Sequence, residues 1–414
     1  MSTDIDAPGH EPAEQPRTLL ITLTGTDRPG VTSSIFSALS GAGVEVLDIE
    51  QIVLRRRLVL GVLVTAPRDW KKLRDAVERT AADLGMSVEV DRGVGDNTAR
   101  KDGRSHVTII GAPLRASAMA AMAGRIADAG ANIDRIERMA RYPVTAIELH
   151  VSGVEPDKLR TSLVEEASRQ SVDVAVQPAN LMRRGMRLIV MDVDSTLVQG
   201  EVIEMLASRV GCEAEVARVT EQAMRGEVDF EESLRARVAL LEGLEVSALD
   251  DVYEQLDYAP GARTMVRTLK RLGYRFAMVS GGFTAVTDRI AEDLGFDFAH
   301  ANELEVVDGR LTGRIVGDVV DRAGKAAALR RFAAEVGVPE GAVIAIGDGA
   351  NDLDMLSAAG LGIAYNAKPV VQQAAHTAVN VPYLDTIMYL LGISREEVVA
   401  ADADAGIVTP APPV

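Results

Sequence analysis

Three apolar runs, each ending in polar residues at one end, organise the second half of the chain. Leu188-Ile-Val-Met191 runs into Asp192-Val-Asp194, and Arg275-Phe-Ala-Met-Val279 runs into Ser280-Gly-Gly282. Ala342-Val-Ile-Ala-Ile346 leads to Asp348, with Asn351 and Asp352 just beyond. Short continuous apolar runs bounded by turn residues read as strands buried on both faces. Helical periodicity lies between them, so the pattern from about residue 185 predicts a doubly wound, Rossmann-like parallel sheet of the α/β class. One block breaks the alternation: residues 200 to about 260 carry helical periodicity and almost no strand signal, clearest over 230–241. Placed directly after the first strand, this block predicts an inserted helical cap over the sheet's carboxyl end. Residues 303–317 read as a β-hairpin turning at Asp308-Gly309.

The first half repeats itself. A strand at Thr18–Leu23, a turn over Gly25-Thr-Asp-Arg-Pro-Gly30, a helix from Val31 and a strand from Val44 return as His106–Ile110, a turn at Gly111, a helix from about Ser117 and Asn132–Glu137. In register, Gly43 matches Gly130, Ile49 matches Ile136 and Glu50 matches Glu137. Two such β-α-β units predict two small α+β domains with ferredoxin-like pairing, over 18–95 and 104–180. The polar segment from Asp91 to Gly103 is expected to link them, and Arg55-Arg56-Arg57 to form the solvated part of a strand or hairpin. Residues 1–17 are expected to be a flexible start, 185–399 the larger domain, and 400–414 a disordered tail.

Composition narrows the function classes. A net charge of −17 argues against nucleic acid as a partner, because phosphate backbones demand basic patches. The longest apolar runs are strand-length, which argues against a membrane span. A polar start without an apolar segment shows no secretory signal, and the single cysteine, Cys212, fits a reducing cytoplasm. The five histidines are scattered without metal-ligand spacing, which argues against zinc.

The aspartates carry the chemical reading. Residues i and i+2 of a strand point the same way, so Asp192 and Asp194 can face one site at the strand's carboxyl end, where open α/β sheets bind ligands. Either alone could be an ordinary turn residue; three strands delivering polar residues at one end argue otherwise. Paired carboxylates call for a compensating cation, and Mg2+ suits one or two carboxylates plus phosphate oxygens, here Asp192 and Asp348. Aspartate can attack phosphorus as a covalent nucleophile, with the neighbouring acid moving protons. Ser280 with the N–H groups of Gly281 and Gly282 can cradle phosphate oxygens, and Lys325 can add positive charge.

The segments Asp-Val-Asp-Ser-Thr, Ser-Gly-Gly, the helix-borne Lys325 and Gly-Asp-Gly-Ala-Asn-Asp together resemble the haloacid dehalogenase superfamily of phosphotransferases. That resemblance implies Asp192 as nucleophile and metal ligand, Asp194 as general acid/base and main-chain carbonyl ligand, and Asp348 as second carboxylate ligand. It implies Ser280 and Lys325 as phosphoryl-binding residues, completed by Asn351 and Asp352. Within the superfamily, residues 185–395 resemble the phosphoserine phosphatase family. There the resemblance implies Glu201 on the substrate ammonium, Arg237 on its carboxylate, and Met224 and Phe230 shaping the pocket. The reaction implied is Mg2+-dependent hydrolysis of O-phospho-L-serine to L-serine and phosphate, the last step of serine biosynthesis. The 25–30 loop resembles the ACT domain, a small module that commonly binds amino acids, with Asp27 and Gly30 as candidate ligand residues. The second copy, Gly111-Ala-Pro-Leu-Arg, lacks the Asp-x-Pro-Gly element. A serine effector and a homodimer or larger homo-oligomer are expected, while a purely structural role for these domains stays open. So do transfer to another hydroxyl acceptor such as homoserine, and a sensor whose sheet only binds ligand.

Overall fold

The computed structural model describes residues 17–95, 103–224 and 228–410, without the side chains of Met182, Ala223 and Met224. The chain forms two units, divided between residues 100 and 101.

In the first unit, strands β1 (Arg17–Thr26), β2 (Val46–Leu54), β3 (Arg57–Thr65) and β4 (Ser87–Val94) form an antiparallel sheet in the order β2-β3-β1-β4. Helices Val31–Ser40 and Trp70–Asp83 cover one face. Alternation explains the packing: Leu19, Ile21 and Leu23 of β1 and Leu58, Leu60, Val62 and Val64 of β3 are buried against Ile35, Leu39, Leu73 and Val77 of the helices. Arg55 and Arg56, both at positive φ, make the exposed β2–β3 turn. The expected linker starts later than Asp91, because β4 pairs with β1 as far as Val94; residues 96–102 lie outside the described residues.

The second unit opens with the repeat: β5 (Ser105–Gly111), β6 (Asn132–Ala140), β7 (Thr145–Ser152) and β8 (Asp173–Pro178), ordered β6-β7-β5-β8, with helices Ala116–Asp128 and Pro156–Gln170 on one face. Its other face is buried too. Ile110, Ala146 and Ala175 join the core of the larger domain. Thr377 donates to the Val174 carbonyl, Gln177 to the Leu390 carbonyl, and Asp173 accepts from Asn380 and Val381.

The larger sheet contains β9 (Leu188–Met191), β10 (Arg275–Phe283), β11 (Phe298–Val307), β12 (Arg310–Val316), β13 (Val343–Gly347), β14 (Leu361–Tyr365) and β15 (Thr377–Val379). Their order is β12-β11-β10-β9-β13-β14-β15, parallel except for β12. The first strand is therefore central and the chain winds outward on both sides, which puts the switch point between β9 and its neighbours. Odd and even residues of β9 are buried on opposite faces, Leu188 and Val190 on one, Ile189 and Met191 on the other. Asp308 and Gly309, both at positive φ, turn β11 into β12 as the hairpin pattern required.

The cap follows β9 as helices Val202–Val210, Glu213–Met224, Phe230–Ala239 and Ser247–Glu254. Its two connections to the sheet run side by side: Val198 and Tyr258 form an antiparallel bridge, Gln199 N–H donates to the Asp257 carbonyl, and Ala259 N–H donates to that of Leu197.

The expectation of a disordered tail from residue 400 is overturned for the described part. Helix Arg395–Asp404 continues through it, and the buried Asp402 carboxylate accepts from Arg267, Arg271 and Thr409. Buried ion pairing at Asp402 outweighs the low-complexity composition beyond it. Among the described residues, no helix is long and apolar enough to cross a membrane.

Candidate active site

The central strand positions the first motif. Asp192 N–H continues the ladder to the Ile346 carbonyl at 2.9 Å, placing its side chain at the β9 carboxyl end. Asp192 Oδ1 accepts from Val193 N–H (2.8 Å) and from Lys325 Nζ (2.8 Å). Two residues on, Asp194 Oδ1 accepts from Val202 N–H (2.7 Å), the first turn of the first cap helix. Its Oδ2 accepts from Ser280 Oγ (3.3 Å), whose oxygen in turn accepts from Gly282 N–H (2.8 Å). A Cβ on Gly282 would lie 2.9 Å from Asp194 Oδ2, so only glycine lets β10 approach the aspartate this closely.

The third motif closes the site from β13. Asp348 Oδ1 accepts from Thr196 Oγ1 at 2.9 Å. Asp352 is fully buried and accepts from Lys325 Nζ (2.7 Å) and Gly349 N–H (3.0 Å). A Cβ on Gly347 would fall 2.4 Å from Asp352 Cγ, which accounts for that glycine. Lys325, itself fully buried, thus bridges Asp192 and Asp352 from helix Arg322–Val336.

One cavity is lined by Asp192, Asp194, Glu201, Phe230, Arg237, Gly281, Gly282, Asp348 and Asn351, together with Ile203, Leu234 and Phe283. The sheet and the cap therefore contribute to a single site. Ser280, Lys325 and Asp352 stand behind this lining and hold it. Glu201 directly precedes the first cap helix without its side chain bonding the helix backbone, and Ser195, at a positive φ of 55°, donates to Glu201 Oε1 at 3.1 Å. Arg237 donates through Nε to the Ser233 carbonyl at 3.4 Å. Met224 ends helix Glu213–Met224, and its side chain lies outside the described residues. Asp27 and Gly30 sit on an exposed turn of the first unit and are not among the residues lining the cavity on that unit's sheet.

The electrostatics call for a cation. Burial raises the Asp192 carboxyl well above its usual range, and Asp352 adds to the shift against Lys325. Burial also raises Asp194, and raises Asp348 to about 6 with the Asp352 charge beside it. Burial works against the Lys325 ammonium, but Asp192 and Asp352 overcome it and hold the lysine charged. Four carboxylates thus share one lysine. Ligand oxygens of Asp192, Asp348 and Asp352 lie within 4.8 Å of one another, an all-oxygen set that suits a hard metal ion. Lys325 engages both Asp192 and Asp352, whereas Asp348 is held by Thr196 instead.

Two residues escaped the sequence reading. Thr196 fixes Asp348 across the site, and its place directly after the first motif was the available signal. Asn302, at 1% exposure, donates to the Gly281 carbonyl (2.8 Å) and accepts from Val320 N–H (2.8 Å). It lies on β11, the neighbour of β10, where the same strand-end rule applied.

Comparison with known proteins agrees with this geometry. Residues 189–357 match the haloacid dehalogenase-like hydrolase family, and residues 17–91 and 104–177 each match an ACT domain. A phosphoserine phosphatase of Streptomyces coelicolor is 61% identical over 93% of this chain and 94% of its own. The chain belongs to the phosphoserine phosphatase family. A second family member, phosphoserine phosphatase SerB2 of Mycobacterium tuberculosis, is 52% identical over 94% of this chain and 97% of its own. Among solved structures, a probable phosphoserine phosphatase from Vibrio cholerae superposes with a TM-score of 0.57 at 34% identity, over 72% of this chain and 88% of that one. The α/β fold with two small α+β domains ahead of it is thus that of the family.

Proposed function

We propose that this chain hydrolyses O-phospho-L-serine to L-serine and phosphate through an aspartyl-phosphate intermediate. One observation carries the reading: Glu201 and Arg237 line the same cavity as Asp192 and Asp194. A carboxylate and a guanidinium above a phosphoryl site suit an ester whose alcohol bears both an ammonium and a carboxylate. Burial and the nearby Asp194 and Asp348 raise Glu201 to about 7, so an arriving ammonium gains by restoring its charge. The relatives' names point to the same substrate.

In this reading Asp192 attacks phosphorus with a carboxylate oxygen, and the serine oxygen leaves with a proton from Asp194. Asp194 then takes a proton from water, which attacks the acyl phosphate and frees Asp192. Ser280, Lys325 and the N–H groups of Gly281 and Gly282 hold the phosphoryl oxygens, with Asn351 at the rim and Asp352 fixing Lys325. Mg2+ bound by Asp192, the Asp194 main-chain carbonyl and Asp348 would polarise the phosphoryl group and offset its charge. Phe230, and Met224 from the adjoining helix, would enclose the serine carbons. The reaction would complete serine biosynthesis in the cytoplasm. The ACT domains would sense an amino acid such as serine, with Asp27 and Gly30 in the first copy, and would join chains into a homodimer or larger homo-oligomer.

The test is phosphate release from L-phosphoserine and a panel of other phosphomonoesters, with and without Mg2+. Mg2+-dependent preference for phosphoserine is expected; preference for another ester overturns the substrate. Asp192→Asn should abolish turnover with an unchanged circular dichroism spectrum, and normal activity in that variant overturns the mechanism.

A further inference from the structure

Outside the catalytic cleft, the second small sheet gathers three metal-ligating side chains that the sequence scatters. Antiparallel pairing of β5 with β7 sets His106 directly opposite His150, and Glu148 lies two residues from His150 on the same face. His106 Nδ1 lies 3.0 Å and His150 Nε2 3.5 Å from Glu148 Oε1, with the imidazole centroids 4.7 Å apart. All three ligand atoms fall within 4.8 Å of one another. A tetrahedral ion with bonds of about 2.0–2.1 Å separates its ligand atoms by roughly 3.4 Å. The observed spacings bracket that value.

The two imidazole nitrogens are also orphaned. Both are buried, and neither makes a hydrogen bond of acceptable geometry. Glu148 is 4% exposed and is held from its far side by Arg183, through Oε2 and, at 3.1 Å, through Oε1. Arg183 Nε donates to the Leu390 carbonyl at 3.0 Å. Partners of this kind orient metal-binding carboxylates. Since Arg183 shares Oε1, the two imidazoles supply most of the attraction.

We propose that His106, His150 and Glu148 bind one divalent transition-metal ion of the zinc class, with water in the fourth position. The ion ties β5 to β7 on the face that Arg183 fastens to the larger domain, so its role is structural. Histidine ligands and tetrahedral spacing distinguish this site from the all-oxygen catalytic cluster.

Cobalt(II) provides the test, because four-coordinate and six-coordinate ions differ in visible absorption. The full-length protein, saturated with Mg2+, is titrated with Co2+. One equivalent should give the intense spectrum of a four-coordinate ion, displaced by Zn2+. His106→Gln/His150→Gln should lose that spectrum and bind at least tenfold more weakly, while keeping its fold and phosphatase activity. Asp192→Asn, which disarms the catalytic cluster, should keep the spectrum and serves if the histidine variant fails to fold. A weak six-coordinate spectrum alone, absorption unchanged in the double variant, or absorption lost in Asp192→Asn each overturns the proposal.

Discussion

The two small sheets share one topology and differ in what lies on their second face. In the first, Leu20 and Val59 point away from the helices and are 42% and 39% exposed. In the second, the corresponding face carries Ile110 at 1%, Ala146 at 0% and Glu148 at 4%, and merges with the core of the larger domain. Helix packing on one face is enough to build the unit, so the other face is free to diverge. The second copy has spent that freedom on docking. The first leaves Leu20 and Val59 of that face exposed.

The sharpest way to break the second face is Glu148→Ala. It leaves Arg183 buried without its partner, which costs about 3–5 kcal/mol. Trp70, the chain's single tryptophan, lies in the first unit, so its fluorescence isolates that unit while circular dichroism follows both. Glu148→Ala should lower the dichroism midpoint and leave the Trp70 transition in place. A paired substitution comes next. Ile110→Ala should cost about 2–4 kcal/mol through the cavity it opens, whereas Leu20→Ala should change stability by less than about 0.5 kcal/mol. Equal costs measured by urea denaturation would erase the contrast.

The last effect concerns pH. Helix Arg395–Asp404 packs on β6, and its Asp402 is held at about 2 by hydrogen bonds from Arg267, against the opposing effect of burial, and from Arg271 and Thr409. A carboxyl depressed in the folded state stabilises above its unfolded pKa and loses that contribution as pH falls through its folded value. Roughly 2 kcal/mol should therefore disappear between about pH 4 and pH 2. Asp402→Asn should flatten this limb of the stability profile. An unchanged limb would place the acid sensitivity elsewhere.

Local patterns carried the legible part. Asp192, Asp194, Ser280 and Asp348 could be placed because each follows its own strand, and strand ends converge at a switch point. The Asp308-Gly309 turn was readable for the same local reason. The docked face was not. Alternation in His106–Ile110 reports that one face is apolar, but not that Ile110 meets a second core. Arg183 and Glu148 belong to different elements, and no spacing rule links them. His106 and His150 looked scattered because strand pairing, not sequence distance, brings them together. The tail misled through composition, since its ordering rests on Asp402 and two distant arginines.

The bridge between Val198 and Tyr258 holds the cap's two chain connections side by side. The cap meets the sheet a second time at β12, where Glu245 bridges Arg310 and Leu311 N–H donates to the Leu244 carbonyl. Glu201 and Arg237 belong to the cap, while Asp192 and Asp348 follow strands of the sheet. The residues proposed to hold the alcohol and those proposed to attack phosphorus thus come from separate layers, which must meet for the site to be whole.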